Sequence, residues 1–351
     1  MVELTAGNLL EAEADALVNT VNCVGVMGKG IALQFRQAFP ENFRLYAQAC
    51  GRGEVRPGRM FVVPTGQLVA PRFIINFPTK RHWKGKARLD DIRAGLKALI
   101  ADVRRLDIRS IAVPPLGCGS GGLDWGQVRP MIEAAFAEVP GVRVLLFMPQ
   151  GAPKADAMPV GTQKPELTRA RALLLRLLDL YSIPGYRLTL LEAQKLAYLL
   201  QAVGEPLRLN FVRNKYGPYA ENLNHVLQRL EGHFIRGYGD RSTKAEIALL
   251  PGAGEDAEAV LAGDPEAGER LARVSRLIEG FESPHGLELL TSVHWIAQED
   301  PAAAADPERA IADIQSWSPR KHERFPPEHI RKTWVRLRDL DMLGAPVASP
   351  A

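Results

Sequence analysis

Two glycine-rich segments of the 351-residue chain have the residue types and spacing of phosphate-binding loops. They are NCVGVMGKG at residues 22–30 and PLGCGSGGLD at residues 115–124, and each follows an apolar run and precedes a helical pattern. Backbone N–H groups at a helix N-terminus bind phosphate when no side chain blocks the approach, a condition that glycine meets. Two such loops at the carboxyl ends of sheet strands predict a nucleotide diphosphate site. The first loop is not a P-loop, because Lys29 is followed by Gly30 rather than by Ser or Thr.

The second loop also matches the pattern G-x-G-x-x-G, through Gly117, Gly119 and Gly122. That fingerprint belongs to the first strand of a dinucleotide-binding unit, with an acidic residue about 20 positions further on. Here it follows a late strand, and the acids beyond the loop, Glu133 and Glu138, lie in a helical stretch. The context therefore disfavours a dinucleotide-binding fold.

A lysine and a basic, aromatic run follow another predicted buried strand. Lys80 lies in IINFPTKRHWK at residues 74–84. Such a lysine is either a solvated loop charge or a group that stabilises negative charge or attacks as a nucleophile. Cations interleaved with rings suit a single-stranded nucleic acid, although a surface loop anchored by one Trp has the same pattern. The predicted DNA contacts are Arg81, His82, Trp83 and Lys84.

Short β-branched runs alternate with helical periods through residues 1–149. The alternation predicts an α/β fold, with a largely parallel sheet and helices on both of its faces. The predicted strands are VELT, ALVNTV, FVVP, FIINFP, SIAVPP and VRVLLFMP, and the predicted helices lie near residues 31–38, 89–106 and 127–138.

A change in composition predicts a second domain. Residues 150–165, QGAPKADAMPVGTQKP, combine Pro and Gly without an apolar period, which is typical of a linker. We therefore predict domains over residues 1–155 and 156–351. Helical periods dominate the second domain, so it should be mainly α-helical. They cover residues 167–181, 189–203 and 219–232.

Charge is distributed unevenly along the chain. Residues 1–159 carry 20 Lys and Arg against 14 Asp and Glu, whereas residues 160–351 carry 24 against 26. A basic first domain fits an anionic ligand. Seven acidic residues and no Lys or Arg lie between Glu246 and Glu269. This acidic stretch is either a solvated face or a surface for a basic partner.

Composition excludes several classes of protein. No run approaches the roughly 18 apolar residues that a membrane span needs, and the N-terminus resembles no signal peptide. We therefore expect a cytoplasmic protein with no membrane partner. Cys23, Cys50 and Cys118 are too few and too scattered for a disulfide framework or a zinc site, and no cofactor or metal is predicted. A nucleophilic Cys118 is disfavoured, because no histidine is placed as its base.

Four segments resemble the ADP-ribose-binding macrodomain family. They are TAGNL at residues 5–9, ALVNTVN at 16–22, GVMGKGIA at 25–32 and PPLGCGSGGLDW at 114–125. More narrowly, they are similar to the branch that contains the terminal ADP-ribose protein glycohydrolase and the DarG antitoxins, which remove ADP-ribose from thymidine in DNA. The resemblance implies a three-layer α/β/α macrodomain and implies that the diphosphate belongs to ADP-ribose.

The resemblance also implies which residues bind. In macrodomains the first loop surrounds the distal ribose and the second cradles the diphosphate. Asn22 matches the asparagine that orients the distal ribose, although an Asn before Gly25 also suits a plain turn. The implied ADP-ribose contacts are Asn8, Leu9, Asn22, Gly28, Gly30, Ile31, Gly117, Cys118, Gly119, Ser120, Gly121, Gly122 and Leu123.

Lys80 matches the catalytic lysine of the terminal ADP-ribose glycohydrolase. Cleavage between ribose C1″ and a thymine nitrogen builds negative charge on the leaving base, which a nearby cation stabilises. Alternatively, the amine attacks the opened ribose and forms a Schiff base, provided that neighbouring cations such as Arg81 or Lys84 depress its pKa. The sequence leaves both roles open.

The chain departs from the macrodomain pattern at two places. Asn8 replaces the Asp that usually contacts adenine. The glycohydrolase relative has an acidic residue in the second loop, where this chain has Ser120, Gly121 and Gly122. A mechanism that needs a carboxylate in that loop is therefore not implied.

The run KYGPYAENL at residues 215–223 and its surroundings resemble the C-terminal half of DarG proteins, over about residues 165–345. That half binds and neutralises a DarT-like DNA ADP-ribosyltransferase toxin, and the implied substrate is ADP-ribosylated single-stranded DNA. Three alternatives stay open. They are a non-catalytic ADP-ribose-binding module, a hydrolase of protein-linked ADP-ribose, and a DNA-binding regulator in the second domain.

Overall fold

The computed structural model describes residues 1–67, 69–149, 153, 157–183, 185–239 and 245–344. These residues form two compact units, the first made of Met1–Gln163 together with Gly239 and the second made of Lys164–Tyr238 together with residues 245–344. The predicted boundary between residues 155 and 156 lies outside the described residues.

The first unit is built on a six-stranded mixed sheet. Its strand order is β1-β6-β5-β2-β4-β3, and all neighbours pair in parallel except β3, which is antiparallel to β4. Five strands therefore bring their carboxyl ends to one edge: β1, β2, β4, β5 and β6. The strands are β1 (Val2–Thr5), β2 (Ala16–Val21), β3 (Phe61–Pro64), β4 (Phe73–Pro78), β5 (Ser110–Val113) and β6 (Arg143–Phe147). The helices are α1 (Gly30–Ala38), α2 (Pro40–Gly51), α3 (Leu89–Arg105) and α4 (Trp125–Ala137).

Helices cover both faces of this sheet. Successive side chains of a strand point to opposite faces, so Val18 and Ile75 pack against α3 and α4, whereas Leu17 and Ile74 pack on the side of Phe35 in α1. The three-layer α/β/α arrangement that the sequence predicts is confirmed. The sequence patterns missed α2, which follows α1 without an intervening strand.

Helix α3 lies unusually close to β4. A Cβ at Gly95 would be 2.2 Å from the ring of Phe77, so only glycine allows this approach. Both residues are buried, and the contact holds the helix tightly against the strand that precedes Lys80.

The second unit is mainly helical, as predicted, and surrounds one hydrophobic core to which α5, α6 and α10 contribute many buried side chains. Its small strands form a three-stranded sheet, β10-β11-β7, and a hairpin of β8 with β9. No helix among the described residues is long and apolar enough to span a membrane. The helices are α5 (Arg169–Tyr181), α6 (Leu190–Ala202), α7 (Leu223–Leu230), α8 (Ala253–Leu261), α9 (Pro265–Ile278), α10 (Pro284–Glu299), α11 (Pro301–Ala305), α12 (Pro307–Trp317), α13 (Pro319–Arg324) and α14 (Pro327–Asp339). The strands are β7 (Leu188–Thr189), β8 (Phe211–Asn214), β9 (Gly217–Ala220), β10 (Ile235–Arg236) and β11 (Glu246–Leu249).

Candidate active site

The first glycine-rich loop leaves the carboxyl end of β2 and is closed by the side chain of Asn22. Its Nδ2 donates to the carbonyl of Val26 at 2.5 Å, and its Oδ1 accepts from the N–H of Val24 at 3.0 Å. The buried hydroxyl of Tyr46, on α2, donates to the carbonyl of Asn22 at 2.7 Å. Asn22 is thus held from both sides in a fixed orientation at the rim of the loop.

The same loop ends at the N-terminus of α1. No side chain caps this helix, whose N-cap residue is Lys29, so the N–H groups of Gly30 and Ile31 keep no side-chain acceptor. Gly30 has a φ of +60°, a backbone conformation that favours glycine, and a Cβ at this position would point into open space. A Cβ at Gly28 would make only an ordinary contact with Val26. This helix terminus can accept an anion.

The second loop leaves the carboxyl end of β5 as a tight coil of three backbone turns. The N–H groups of Cys118, Gly122 and Leu123 donate within the loop, to the carbonyls of Pro115, Gly119 and Gly117. Within the described part of the chain, no acceptor binds the N–H groups of the three residues between them, Gly119, Ser120 and Gly121. Three successive free donors form a nest for an anion such as a phosphate.

Close packing explains two of the glycines in that coil. A Cβ at Gly121 would lie 2.3 Å from the carbonyl oxygen of Gly117 and 2.8 Å from the Cβ of Ala87. A Cβ at Gly117 would lie 2.8 Å from the side chain of Leu123, and its φ is +73°. Gly119 and Gly122 face open space instead, so their lack of a side chain leaves the surface of the loop clear.

Lys80 lies beside the second glycine-rich loop. It follows β4, and its Nζ donates to the carbonyls of Trp83 at 3.1 Å and Ser120 at 3.2 Å. Its ammonium therefore lies against the backbone of the second loop. Partial burial lowers the pKa of Lys80, a cause other than the neighbouring cations that the Schiff-base alternative requires.

The segment that carries Lys80 is bonded to both glycine-rich loops. The N–H of Cys23, in the first loop, donates to the carbonyl of Arg81 at 3.2 Å. The N–H of Ala87 donates to the carbonyl of Gly121, in the second loop, at 3.0 Å. The first loop, the second loop and residues 80–87 are therefore one connected structure.

The four residues predicted to contact DNA differ in their surroundings. His82 stacks on Trp83, whose side chain is 48% exposed, and the Nζ of Lys84 lies 4.9 Å from the Trp83 ring centre. These three residues form an exposed cation and ring platform beside Lys80. Arg81 differs, because its guanidinium makes two hydrogen bonds, of 2.5 and 3.0 Å, to the carboxylate of Asp91.

Asn8 and Leu9 lie beyond β1, at the same edge of the sheet but away from these bonds. Asn8 caps a short 3-10 turn, accepting from the N–H of Leu10 at 3.1 Å, and donates to the carbonyl of Ala157 at 3.0 Å. The side chain of Leu9 is buried in the core, so its backbone is the part that can face a ligand. The structure shows no hydrogen bond between these two residues and the Lys80 segment among the described residues.

Comparison with known proteins connects this geometry to a family. The Macro domain family model matches residues 18–132. The DNA ADP-ribosyl glycohydrolase of Thermus aquaticus is 49% identical over 331 residues, which cover 94% of this chain and 91% of that protein. The chain belongs to the DNA ADP-ribosyl glycohydrolase family. The family resemblance inferred from the glycine-rich loops is confirmed, and so is the prediction of an enzyme of this class.

Two further proteins of known name match part of the chain. The solved macrodomain of Mycobacterium tuberculosis DarG is 55% identical with a TM-score of 0.42, and the match covers 43% of this chain and 99% of that one. A DNA ADP-ribosyl transferase-DNA ADP-ribosyl glycohydrolase fusion protein of Thermosipho africanus is 32% identical over 146 residues, which are 37% of this chain and 38% of that protein.

The thiol of Cys118 lacks the environment of a nucleophile. Burial, followed by the charge of Asp124, raises its pKa to about 11, and its Sγ is oriented to the carbonyl of Leu116 at 3.6 Å. A protonated thiol is a poor nucleophile. The structure thus agrees with the sequence argument against Cys118 catalysis in this glycohydrolase.

Sequence reasoning missed two residues that support the site. Tyr46 lies on the missed helix α2, and its role depends on a contact across 24 positions. Asp91 was not singled out, because an acid in the first turn of a helix is commonly explained by the helix dipole alone. The signal available in the sequence was the run of cations shortly before it, Arg81, Lys84 and Lys86.

The acidic stretch of the second unit is largely paired. Its members lie on β11 and α8, at the N-cap of α9 and within α9, and four of the seven side chains bind cations of the same unit. This pairing favours an ion-paired, solvated face over an uncompensated acidic surface. The pairs are Asp256 with Lys164 at 3.1 Å, Glu258 with Arg176 at 3.7 Å, Asp264 with Arg169 at 2.5 Å and Glu266 with Arg270 at 3.3 Å.

Proposed function

We propose that the protein hydrolyses the N-glycosidic bond of ADP-ribosyl-thymidine in single-stranded DNA, with Lys80 as the catalytic residue. The observation that supports it best is the position of the Lys80 ammonium, between the anion-binding second loop and an exposed aromatic platform. A substrate whose diphosphate lies on the loop and whose DNA lies on the platform presents its glycosidic bond beside Lys80. The relatives that match over most of their length are named DNA ADP-ribosyl glycohydrolases, which supports a DNA substrate.

Binding of ADP-ribose uses backbone donors more than side chains. The free N–H groups of Gly119, Ser120 and Gly121 bind the diphosphate, assisted by the uncapped N-terminus of α1. Asn22 orients the distal ribose, because its amide is already fixed by the first loop and by Tyr46. Asn8 contacts the adenine edge. The basic balance of residues 1–159 adds attraction for an anionic substrate.

Bond cleavage requires stabilisation of a leaving thymine that carries developing negative charge. Two of the three N–H groups of the Lys80 ammonium are directed to carbonyls, and the third is available to the departing base. Because carbonyl acceptors favour the charged amine, we propose the electrostatic role rather than the Schiff base. As the bond from C1″ to the thymine nitrogen breaks, water adds to C1″ of the oxocarbenium-like ribose, and the proton that the water loses passes to the departing nitrogen, without a carboxylate from the second loop.

The strand flanking the modified base lies on the platform of His82, Trp83 and Lys84. The exposed Trp83 ring stacks with a neighbouring base, and Lys84 meets a phosphate. Stacking of this kind is worth about 1–3 kcal/mol per base and tolerates any sequence. It therefore distinguishes an oligonucleotide substrate from free ADP-ribosyl-thymidine.

The test uses an oligonucleotide that carries one ADP-ribosyl-thymidine, resolved on a denaturing gel. We expect complete reversal by the wild type and none by Lys80→Ala, with both proteins binding free ADP-ribose equally. Reversal by Lys80→Ala at the wild-type rate would refute the assignment of Lys80. Failure of the wild type on DNA, with activity on ester-linked ADP-ribosyl peptide, would refute the DNA substrate.

We further propose that the second unit binds and neutralises a DarT-like DNA ADP-ribosyltransferase. The support is the fusion protein of Thermosipho africanus, whose name joins the transferase and the glycohydrolase in one chain. A transferase titrated with Lys80→Ala protein should lose DNA-modifying activity stoichiometrically. Retained transferase activity at saturating protein would refute this role.

The acidic stretch offers a specific test of how that partner is bound. Glu246, Glu255 and Glu269 have no ion-pair partner among the described residues. Replacing these three with Lys should weaken transferase binding if the stretch imitates DNA, whereas unchanged affinity would exclude the stretch from the interface.

A further inference from the structure

Asp91 is an unusual residue for its position. It lies in the first turn of α3 and is only 8% exposed. Among the described residues of the first unit, no other Asp, Glu, Lys or Arg is buried. Its neighbour Asp90 is exposed and pairs with Arg93 at 2.7 Å on the surface. A buried carboxylate is costly unless it is paired and hydrogen-bonded, so Asp91 is retained with a specific partner.

That partner is Arg81, the residue directly after Lys80. The two groups make a bidentate pair with N···O distances of 2.5 and 3.0 Å, the planar geometry that arginine forms best with a carboxylate. Asp91 is the main cause of the raised pKa of Arg81. The guanidinium of Arg81 is therefore committed to α3, although the side chain remains 59% exposed.

The backbone at residues 80 and 81 is fixed by the same arrangement. The first loop contributes Cys23, whose N–H donates to the carbonyl of Arg81 at 3.2 Å and whose thiol donates to the carbonyl of Lys80 at 3.4 Å. Helix α3 contributes Asp91 through the side chain of Arg81. Since α3 is packed tightly against β4 at Gly95, Asp91 is a rigid anchor for the end of that strand.

We propose that Asp91 is a positioning residue of the glycohydrolase reaction, because its bidentate pair with Arg81 holds the peptide that carries Lys80. Arg81 then belongs to the support of Lys80 and is not a DNA contact. The inference rests on the proposed catalytic role of Lys80, and it adds a residue that never touches the substrate.

The variants are Asp91→Asn, Arg81→Lys and the double variant, with Asp90→Asn as the matched control. Asp90→Asn removes the adjacent acid and its exposed ion pair without touching Arg81. Single-turnover rates on the ADP-ribosyl-thymidine oligonucleotide, affinity for ADP-ribose and thermal midpoints are measured for each. A displacement of about 1 Å of a catalytic group costs on the order of 100-fold in rate, so we expect Asp91→Asn to lose about 10- to 100-fold in rate.

Three further results are expected. Affinity for ADP-ribose changes less than about 3-fold, because the phosphate loop is untouched. Arg81→Lys loses rate to the same extent as Asp91→Asn, because lysine keeps the charge but not the bidentate geometry. The double variant is no slower than either single variant, because both substitutions remove the same interaction. The alkaline limb of the pH profile moves to higher pH in Asp91→Asn, since Lys80 gains solvent.

Other outcomes separate the inference from the proposed function. A wild-type rate in Asp91→Asn, with Lys80→Ala inactive, would overturn the positioning role and leave Lys80 in place. Activity in Lys80→Ala would overturn the proposed function itself. If Asp91→Asn does not fold, Arg81→Lys decides the question. An unchanged single-turnover rate in Arg81→Lys would overturn the inference. A loss confined to the affinity for DNA, with a reduced salt dependence of DNA binding, would overturn it as well.

Discussion

Replacing Gly121 with Ala should weaken the binding of ADP-ribose without unfolding the protein. The added Cβ would lie 2.3 Å from the carbonyl of Gly117 and 2.8 Å from the Cβ of Ala87, far inside contact distance. Both neighbours are backbone or a short side chain and cannot rotate away. The coil must therefore shift, and with it the N–H groups of residues 119–121 that we assign to the diphosphate.

The magnitude follows from those donors. A hydrogen bond to a charged group contributes about 1.5–3 kcal/mol. Loss of one such bond corresponds to a Kd increase of about 10- to 140-fold, because 1.4 kcal/mol is a factor of ten. The matched control is Gly141→Ala, at an exposed glycine between α4 and β6 where a Cβ meets nothing within 4 Å. This control should bind like the wild type.

Isothermal titration with ADP-ribose and with adenosine provides the assay. Adenosine lacks the diphosphate, so Gly121→Ala should change its affinity by less than about 2-fold. A thermal midpoint close to that of Gly141→Ala verifies folding. If folded Gly121→Ala binds ADP-ribose as tightly as the wild type, the second loop does not hold the diphosphate and the reasoning from its free donors is refuted.

Two pH experiments test other parts of the account. Burial lowers the pKa of Lys80, so the single-turnover rate should fall as pH rises through a midpoint below 10.5. This alkaline fall in rate should disappear in Lys80→Arg, and borohydride should trap no covalent adduct. A rate that rises with pH, or a trapped adduct, would favour the Schiff base instead. Burial, with a smaller contribution from Lys321, lowers the pKa of Lys195 in the second unit to about 7, so between pH 7 and 10 the folded chain has released a proton that the unfolded chain keeps. The free energy of unfolding, measured by urea titration, should therefore rise over this pH range, and Lys195→Met should flatten the rise. An equal dependence of the unfolding free energy on pH in both proteins would contradict the shift.

The strands of the first unit were predictable because their patterns are local. FVVP and FIINFP coincide with β3 and β4, and the near-continuous apolar run of β4 reflects a strand covered on both faces. Helix α2 was not predictable from the β/α alternation. It lies between α1 and β3, where the alternation contains no second helix, and only three of its side chains are buried.

The site was predictable in its parts but not in its connections. Residue types alone indicated that the two glycine-rich loops bind an anion, since glycine backbones have this property in many folds. The pairing of Arg81 with Asp91 and the ion pairs of the acidic stretch depend on contacts between separate elements. Charge along the sequence does not specify which partner each group finds, so Arg81 was counted among the predicted DNA contacts and the acidic stretch was left open between a solvated face and a surface for a basic partner.

The central claim is that Lys80 drives hydrolysis of the bond between ribose and thymine. Its most direct test is mass spectrometry of the oligonucleotide and the small-molecule product after one turnover by the wild type, Lys80→Ala and Lys80→Arg. We predict an unmodified thymidine oligonucleotide and intact ADP-ribose with the wild type, neither product with Lys80→Ala, and partial conversion with Lys80→Arg. An oligonucleotide that retains ribose phosphate, or full conversion by Lys80→Ala, would contradict the account.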